Sequence, residues 1–198
     1  LGSQIVMGLQ TVVSRTLPPR RPGVITVGAF HSGTKHNIIS DAAHLQLTVR
    51  TESPQDRTLL LDGIRRVAEN MGRVAGLPDE LLPEVVVSEE SVPPTLNDKV
   101  LTERVMALWN GHFGEGVLFS GERLGMGAED FPFFTVNPYI PSLYFAVGGT
   151  SPEDFAAEKA GGPPVPSHHS PLFKIEPDAS VTLGVEASVT ALLDLLGS

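Results

Sequence analysis

The chain has 198 residues, of which 41% are hydrophobic and 19% charged, a composition typical of globular proteins rather than disordered or fibrous ones. The formal net charge is −9 and only 14 residues are Lys or Arg, so there is no basic stripe for a phosphate backbone and we expect no nucleic-acid partner. The lack of cysteine excludes disulfides, thiolate metal ligands and cysteine nucleophiles from this sequence.

No apolar run approaches the roughly 20 residues that span a bilayer, and the first residues lack a basic segment followed by an apolar one. We therefore expect no membrane partner and a cytoplasmic location. The sequence begins without Met, and residues 1–15 already have the pattern of a largely apolar helix. We expect the chain to be a piece of a longer protein.

The first half of the chain predicts a small α+β domain. A cluster of prolines ends the first helix near Arg15, because proline lacks the amide donor that a helix needs. Hydrophobic periodicity then predicts strands at 23–30 and 43–51, a helix at 53–76 and a strand at 84–88. With a preceding strand restored, this set would fold as an antiparallel sheet with two helices on one face.

The composition changes at residues 91–98, a proline-containing, linker-like stretch, and we place a domain boundary there, between 1–92 and 93–198. The second half predicts, in order, a helix at 99–113 capped by Asn97 or Asp98, a strand at 116–120, a loop at 121–128, a short helix at 130–134, a buried strand at 142–147, a long loop at 150–165 and a closing helix at 177–196. Two strands are too few for a self-sufficient sheet, so we expect this half to complete a larger one.

The pair His168-His169 is the first candidate for chemistry, because it ends a long loop and neutral imidazole is a common zinc ligand. Adjacent histidines rarely bind one ion together, so at most one is expected to be a ligand. The alternative is that both are polar loop residues before a turn at Pro171.

Three further segments carry polar groups that could contact a ligand. In 125–131, glycines would let backbone amides approach an anion, although Glu129 and Asp130 could instead cap the following helix. Asn37, in the loop between the strands, could donate a hydrogen bond to a carbonyl oxygen, or could be a turn residue. Arg50, at the end of a strand, could bind a carboxylate, but a structural salt bridge is the preferred interpretation.

Taken in order, these segments resemble the hippurate hydrolase and indole-acetyl-amino-acid amidohydrolase branch of the aminoacylase and carboxypeptidase G-like zinc peptidases. The residues that carry the resemblance are Leu9-Gln10-Thr11-Val12-Val13-Ser14-Arg15, Asn37-Ile38-Ile39, Thr48-Val49-Arg50-Thr51, Pro93-Pro94-Thr95-Leu96-Asn97-Asp98, Gly127-Ala128-Glu129-Asp130-Phe131 and His169-Ser170-Pro171-Leu172-Phe173. Ser40 stands where the family usually has proline, and the loop at 150–165 resembles an insertion.

The resemblance implies an α/β protein: an α+β lid, or dimerisation, domain at 1–92 that lacks its first strand, and the C-terminal part of a zinc-exopeptidase-like catalytic domain at 93–198. It implies an enzyme that cleaves the amide bond of N-acyl amino acids or related small amides and holds two divalent ions, zinc or alternatively manganese or cobalt. It also implies a homodimer formed through the lid.

On the same resemblance, His169 is a metal ligand, Asn37 binds the scissile carbonyl or a substrate carboxylate, and Gly127, Glu129 and Asp130 shape the substrate pocket. No catalytic residue is identifiable, and one imidazole cannot supply the three or four ligands of a zinc site. We therefore expect the isolated chain to be inactive. The alternatives are a non-catalytic dimerisation or binding module derived from this fold, or a small-ligand carrier that uses the glycine loop.

Overall fold

A computed structural model describes residues 1–119 and 125–197 of the chain. Within these residues the chain forms five α-helices and a two-stranded antiparallel sheet, which confirms the predicted mixed α/β fold. The elements are α1 (Gly2–Thr16), β1 (Gly23–Ser32), β2 (Ala43–Thr51), α2 (Pro54–Val74), α3 (Lys99–Phe113), α4 (Pro152–Lys159) and α5 (Pro177–Leu196), with short 3₁₀ turns at Asp79–Leu81 and Phe131–Phe134.

The chain divides into two compact units. Unit 1 is Leu1–Thr95 with Leu124–Val136, and unit 2 is Leu96–Arg123 with Asn137–Ser198. The predicted functional domains, 1–92 and 93–198, stay a prediction.

The start and end of α2 follow from its local sequence. Ser53 precedes the helix and its Oγ accepts a hydrogen bond from the Asp56 amide at 3.1 Å, while Pro54 occupies the first turn, where no amide donor is needed. Gly76 follows the helix with φ +77, a conformation that glycine adopts without steric cost. The buried Asp56 carboxylate is paired with the Arg21 guanidinium, Nη1 to Oδ1 2.9 Å.

The core of unit 1 lies between the two helices and one face of the hairpin. Leu9, Val12 and Leu60 are at most 1% exposed at its centre. Alternate strand residues complete it, since successive side chains of a strand point to opposite faces; those facing the helices are Ile25, Val27, Leu45, Leu47 and Val49. The period-two pattern of the sequence thus determines which face of the hairpin is covered.

Close approach of α1 and α2 depends on glycine. A Cβ atom at Gly63 would lie only 2.4 Å from Val12 Cγ1, and one at Gly8 would lie 2.9 Å from Val67 Cγ1. Both distances are shorter than van der Waals contact, so each helix presents a glycine to a valine of the other. The two helices can approach this closely only because those Cβ atoms are missing.

Unit 2 is organised around α3 and α5. Val105, Trp109 and Ala187 form its buried cluster, and the Trp109 indole N–H donates to the Ala187 carbonyl at 3.0 Å. At the outer end of this helix pair, Arg104 Nε donates to Asp194 Oδ2 at 2.7 Å. The Trp109 hydrogen bond and the Arg104–Asp194 pair therefore both join α3 to α5.

The extended segment at 84–88 is not a strand, contrary to the sequence prediction. Its residues alternate between half-buried and exposed, as in a strand, and Val85 packs against the core of unit 1. Yet its backbone groups make no hydrogen bond within the described residues. The alternating apolar pattern correctly predicted which side chains face the core. A β-strand also needs a neighbouring strand, and no strand pairs with this segment in the part of the chain described.

The predicted buried strand at 142–147 is likewise wrong, because the segment is extended but belongs to no sheet of the described residues. No strand is found at 116–119 either, whereas Ser120 and the first part of the predicted loop, 121–124, lie outside the described residues. The predicted helix at 130–134 is one 3₁₀ turn.

The predicted loop at 150–165 contains a helix, α4. Ser151 caps it by accepting a hydrogen bond from the Asp154 amide at 3.0 Å, and Pro152 starts its first turn. This Ser-Pro-Glu-Asp sequence is a helix-start signal that could have been recognised.

Among the described residues, α5 is the one helix whose length and composition would allow it to cross a membrane. A single such helix is weak evidence, because a core helix of a globular protein passes the same test. The expectation of no membrane partner therefore stays a prediction.

Replacing Gly63 by alanine is expected to destabilise the protein by about 1–3 kcal/mol, because the new methyl group must displace Val12 in a packed core. Alanine is the better helix former by about 1 kcal/mol, which offsets only part of this cost. The matched control is Gly111→Ala, since Gly111 also lies within a helix but a Cβ there meets nothing within 4 Å. Urea denaturation should show Gly63→Ala less stable and Gly111→Ala slightly more stable than the parent; two equal shifts would contradict this account.

Candidate functional site

Asn37 lies in the loop that joins β1 to β2. The base of this loop is closed by two serine hydroxyls that donate to the Ala42 carbonyl, Ser32 Oγ at 2.9 Å and Ser40 Oγ at 2.7 Å. Asn37 itself sits in a turn and is exposed, and its amide makes no hydrogen bond within the described residues. The Asn37 side chain is therefore exposed and forms no hydrogen bond with its own turn, and its role in binding a ligand stays a prediction.

The glycine loop at 125–130 is attached to the hairpin by Arg50. The guanidinium Nη1 donates a hydrogen bond to the carbonyl of Met126. A salt bridge was the preferred interpretation for Arg50, but its partner is the backbone carbonyl oxygen of Met126. This contact crosses 76 residues of sequence, and no local pattern could have revealed it.

The backbone at Gly127 does not itself require glycine. A Cβ there would meet nothing within 4 Å, and its φ lies outside the left-handed region. Glu129 is half-buried and Asp130 exposed, and neither side chain makes an ion pair or hydrogen bond within the described residues. Among the described residues, no atom beyond Gly127 and its two chain neighbours lies within 4 Å of the position that a Cβ at Gly127 would take.

The two carboxylates are not helix caps. Asp130 precedes the 3₁₀ turn Phe131–Phe134 without a side-chain capping bond, and only its backbone carbonyl accepts, from Phe133 at 3.1 Å. This excludes the capping alternative for Asp130. It also removes the positive helix terminus expected to attract an anion, because a four-residue turn has no extended helix behind it.

His169 occupies a strained position in a tight turn. The Ser170 amide donates to the Ser167 carbonyl at 2.9 Å, and His169, the third residue of this turn, has φ 95. It is the one non-glycine residue of the described chain in the left-handed region, where a side chain costs on the order of 1 kcal/mol or more. The two imidazoles are exposed, with ring centroids 4.9 Å apart. The structure thus distinguishes His169 from His168, which has ordinary backbone geometry.

The described residues do not assemble the metal centre that the resemblance implies around His169. No group of three or more His, Asp or Glu side chains is close enough to hold an ion in the part of the chain described. A structural zinc site has four protein ligands and a catalytic one has three plus water, so His169 can be one ligand of such a centre but does not form it alone.

One cavity is lined by none of the predicted site residues. It has a volume of about 390 Å³ and is found at the N-terminal ends of α4 and α5, where Glu153, Glu176 and Asp178 line it. None of the predicted site residues faces it, and its carboxylates do not form a metal-binding group among the described residues. We do not place the functional site there.

Asn97 and Asp98 have structural roles at the start of α3. The Asn97 side chain donates to the Tyr144 carbonyl at 2.9 Å and accepts from the Tyr144 amide at 2.8 Å, which replaces the sheet partner expected for 142–147. Asp98 is the N-cap, accepting from the Leu101 amide at 2.9 Å, and its other oxygen accepts from the Tyr139 hydroxyl at 2.7 Å.

These bonds change the titration of both groups. The Leu101 amide and then the Tyr139 hydroxyl stabilise the charged carboxylate and lower the pKa of Asp98, although partial desolvation opposes them. The same hydrogen bond to Asp98 is the main cause that raises the pKa of Tyr139.

The chain matches no family model. It is 30% identical over 196 residues, 99% of its length, to an uncharacterized hydrolase, y4tI, of Sinorhizobium fredii, and covers 44% of that protein. It is 27% identical over 76% of its length to an N-acetyldiaminopimelate deacetylase of Streptococcus thermophilus, covering 38% of it, and 30% identical over 88% to thermostable carboxypeptidase 2 of Saccharolobus solfataricus, covering 40% of it.

Its fold matches a crystal structure described as that of an aminohydrolase from methicillin-resistant Staphylococcus aureus. The TM-score is 0.72 at 26% identity, over 98% of this chain and 45% of that one. By their descriptions, the similar proteins are a hydrolase, a deacetylase, a carboxypeptidase and an aminohydrolase. The chain spans less than half the length of these relatives, and the match runs along almost all of its own length.

The hydrogen bonds to Asp98 lower the pKa of its carboxyl in the folded chain. They therefore stabilise the folded chain at pH values above the carboxyl's unfolded pKa, which is about 3.9. This stabilisation is lost as pH falls through the lower pKa of the folded state. Asp98→Asn should therefore melt at a lower temperature than the parent at pH 6, with a difference that narrows as pH falls below the unfolded pKa of about 3.9. Melting curves across this range test it, and a difference that stays constant with pH would contradict it.

His169→Gly is expected to stabilise the chain by about 1 kcal/mol, because glycine adopts a positive φ without steric cost. His168→Gly is the matched control and should be neutral or slightly destabilising, since it only adds freedom to the unfolded chain. Urea denaturation compares the two variants, and a loss of stability in His169→Gly would show that the turn is not strained.

Proposed function

We propose that this chain forms part of a metal-dependent amidohydrolase that cleaves the amide bond of N-acyl amino acids or related small amides, in the hippurate hydrolase and indole-acetyl-amino-acid amidohydrolase branch. The observation that carries the proposal is similarity along 99% of the chain to a hydrolase, together with a structural match over 98% of it to an aminohydrolase. One relative is a deacetylase of an N-acetylated amino acid, which supports this substrate class.

Asn37 is proposed to bind the substrate's carbonyl oxygen or carboxylate. Its amide is exposed at the end of a loop whose base is closed by Ser32 and Ser40. A hydrogen bond from an amide N–H to a carbonyl oxygen becomes stronger as negative charge develops on that oxygen during attack on the carbonyl carbon.

Gly127, Glu129 and Asp130 are proposed to shape the pocket for the rest of the substrate. The Arg50 bond to Met126 holds this loop beside the end of β2, so the pocket is positioned by the hairpin. The open space at Gly127 admits a substrate group close to the backbone, and the unpaired carboxylates can bind a polar or cationic group.

His169 is proposed to be one ligand of a centre of two divalent ions, zinc or alternatively manganese or cobalt, in the complete enzyme. The described residues do not supply the remaining ligands, so we assign no metal-dependent step and no catalytic residue to this chain. For the same reason the isolated chain is expected to be inactive.

The complete enzyme is proposed to act in the cytoplasm as a homodimer formed through the lid domain. The sheet β1–β2 has no further strand on either side in the described residues, and unpaired strand edges are common pairing surfaces. Light scattering at high protein concentration tests the association of the chain.

A chimera tests the proposal. The matching 196 residues of the y4tI hydrolase would be replaced by this chain, and hydrolysis of N-acetyl and N-benzoyl amino acids would be measured with zinc, manganese or cobalt. His169→Ala is expected to lower kcat/KM on the order of 100-fold and to lower the bound metal, because a ligand is lost. Asn37→Ala is expected to lower kcat by about 100-fold with the metal content unchanged.

The controls are His168→Ala and Lys35→Ala, neighbours of the two tested residues whose loss should change activity less than about threefold. The isolated chain is assayed beside the chimera and should show no turnover. Robust turnover by the isolated chain would contradict the incomplete site. An active chimera whose metal content survives His169→Ala would contradict the ligand role, and a folded but inactive chimera would favour a non-catalytic module.

A further inference from the structure

A bulge in β1 changes which residues of the hairpin face each other. Pairing is regular from Gly23 opposite Thr51 to Val27 opposite Leu47, then shifts so that Ala29, not Gly28, lies opposite Gln46. Gly28 is thus the extra residue. As a result, His31 lies directly opposite His44. In a regular ladder, His44 would instead face Phe30, and His31 would face Ala43.

The two imidazoles share the face of the hairpin that the helices leave open. A Cβ atom at Gly2, in α1, would lie 2.7 Å from Phe30 and 3.6 Å from the Ala43 side chain, so Phe30 and Ala43 face the helix. Their neighbours along the strands, His31 and His44, therefore point to the opposite face. Both are exposed, and neither makes an ion pair or hydrogen bond within the described residues.

We propose that His31 and His44 form a binding site for a divalent transition-metal ion, specifically Zn²⁺. Directly opposite residues on antiparallel strands have Cβ atoms about 4.5–5.5 Å apart, a spacing from which two imidazoles can converge on one ion. Neutral imidazole is a ligand of choice for zinc, and water completes the four-coordinate shell. The site is separate from the proposed centre that uses His169 and does not depend on the proposed function.

The position of the site gives it a structural consequence. His31 and His44 flank the base of the loop that carries Asn37, next to the hydroxyl bonds that close that base. A bound ion joins β1 to β2 at the base of the loop. Zinc binding should therefore slow amide hydrogen exchange in residues 33–42 and raise the melting temperature.

Titration of Zn²⁺ into the whole chain at pH 7.5, followed by calorimetry, tests the site. One ion is expected to bind at micromolar concentrations, and His31→Ala and His44→Ala should each weaken this binding at least tenfold. The ring signals of both histidines should shift together in NMR spectra at one equivalent of zinc. Circular dichroism and the zinc-free melting temperature confirm that each variant is folded.

Two matched controls separate the site from other histidines. His36→Ala, in the loop, and the double variant His168→Ala with His169→Ala should keep the binding that His31 and His44 provide. Ser32→His in the His31→Ala background restores the number of histidines but places the imidazole on the helix-facing side, since Ser32 pairs with Ala43; it should not restore binding.

Three results would overturn the proposal. One is zinc binding that His31→Ala and His44→Ala leave unchanged. Another is an equal loss in His36→Ala, or a full rescue by Ser32→His. The third is binding weaker than about 1 mM in the parent chain, a free energy of only about −4 kcal/mol.

Discussion

The close crossing of α1 and α2 is the constraint on which the rest of unit 1 depends. The missing Cβ atoms of Gly63 and Gly8 let Val12 and Val67 fill the space between the helices. Together the two helices present one apolar surface, with Leu9 and Leu60 beneath it. A two-stranded hairpin is marginal by itself, and this surface gives it a face to cover. The helix pair therefore covers the side of each strand that carries the alternating apolar residues.

The open side of the hairpin follows from the same constraint. Once Val27, Leu47 and Val49 face the helices, Arg50 must point away from them, and there it holds the glycine loop through Met126. Near the other end, the bulge at Gly28 changes the alternation once. Phe30 is thereby returned to the helix side, and His31 and His44 are left facing each other on the open side. The extra residue, Gly28, therefore places Phe30 against the helices and His31 opposite His44.

The predicted site residues are accessible but do not come together as a metal centre among the described residues. Asn37, Gly127, Glu129 and Asp130 are accessible, and His169 has a strained backbone of the kind that clusters at functional positions. The described residues nevertheless assemble no metal-binding group of three. The chain aligns along 99% of its length with a hydrolase and covers 44% of that protein.

Local sequence patterns predicted most of the helices and both strands of the hairpin. Capping residues, prolines and hydrophobic periods predicted α1, β1, β2, α2, α3 and α5 with bounds close to those found. The order of the short motifs indicated the amidohydrolase relationship, which the relatives support. These features could be predicted because each depends on residues that are neighbours along the chain.

Contacts between residues that are distant in sequence follow from the fold and not from local patterns. The segments 84–88 and 142–147 both have strand-like patterns. Among the described residues, however, no strand pairs with 84–88, and Asn97 binds 142–147 through Tyr144, because a local pattern does not specify the second strand that a ladder needs. The sequence pattern also did not predict three other features: the Arg50 bond to Met126, the left-handed turn at His169 and the alignment of His31 with His44. Each of them depends on backbone geometry or on a contact between distant residues. The sequence pattern encodes only the conformational preference of each segment.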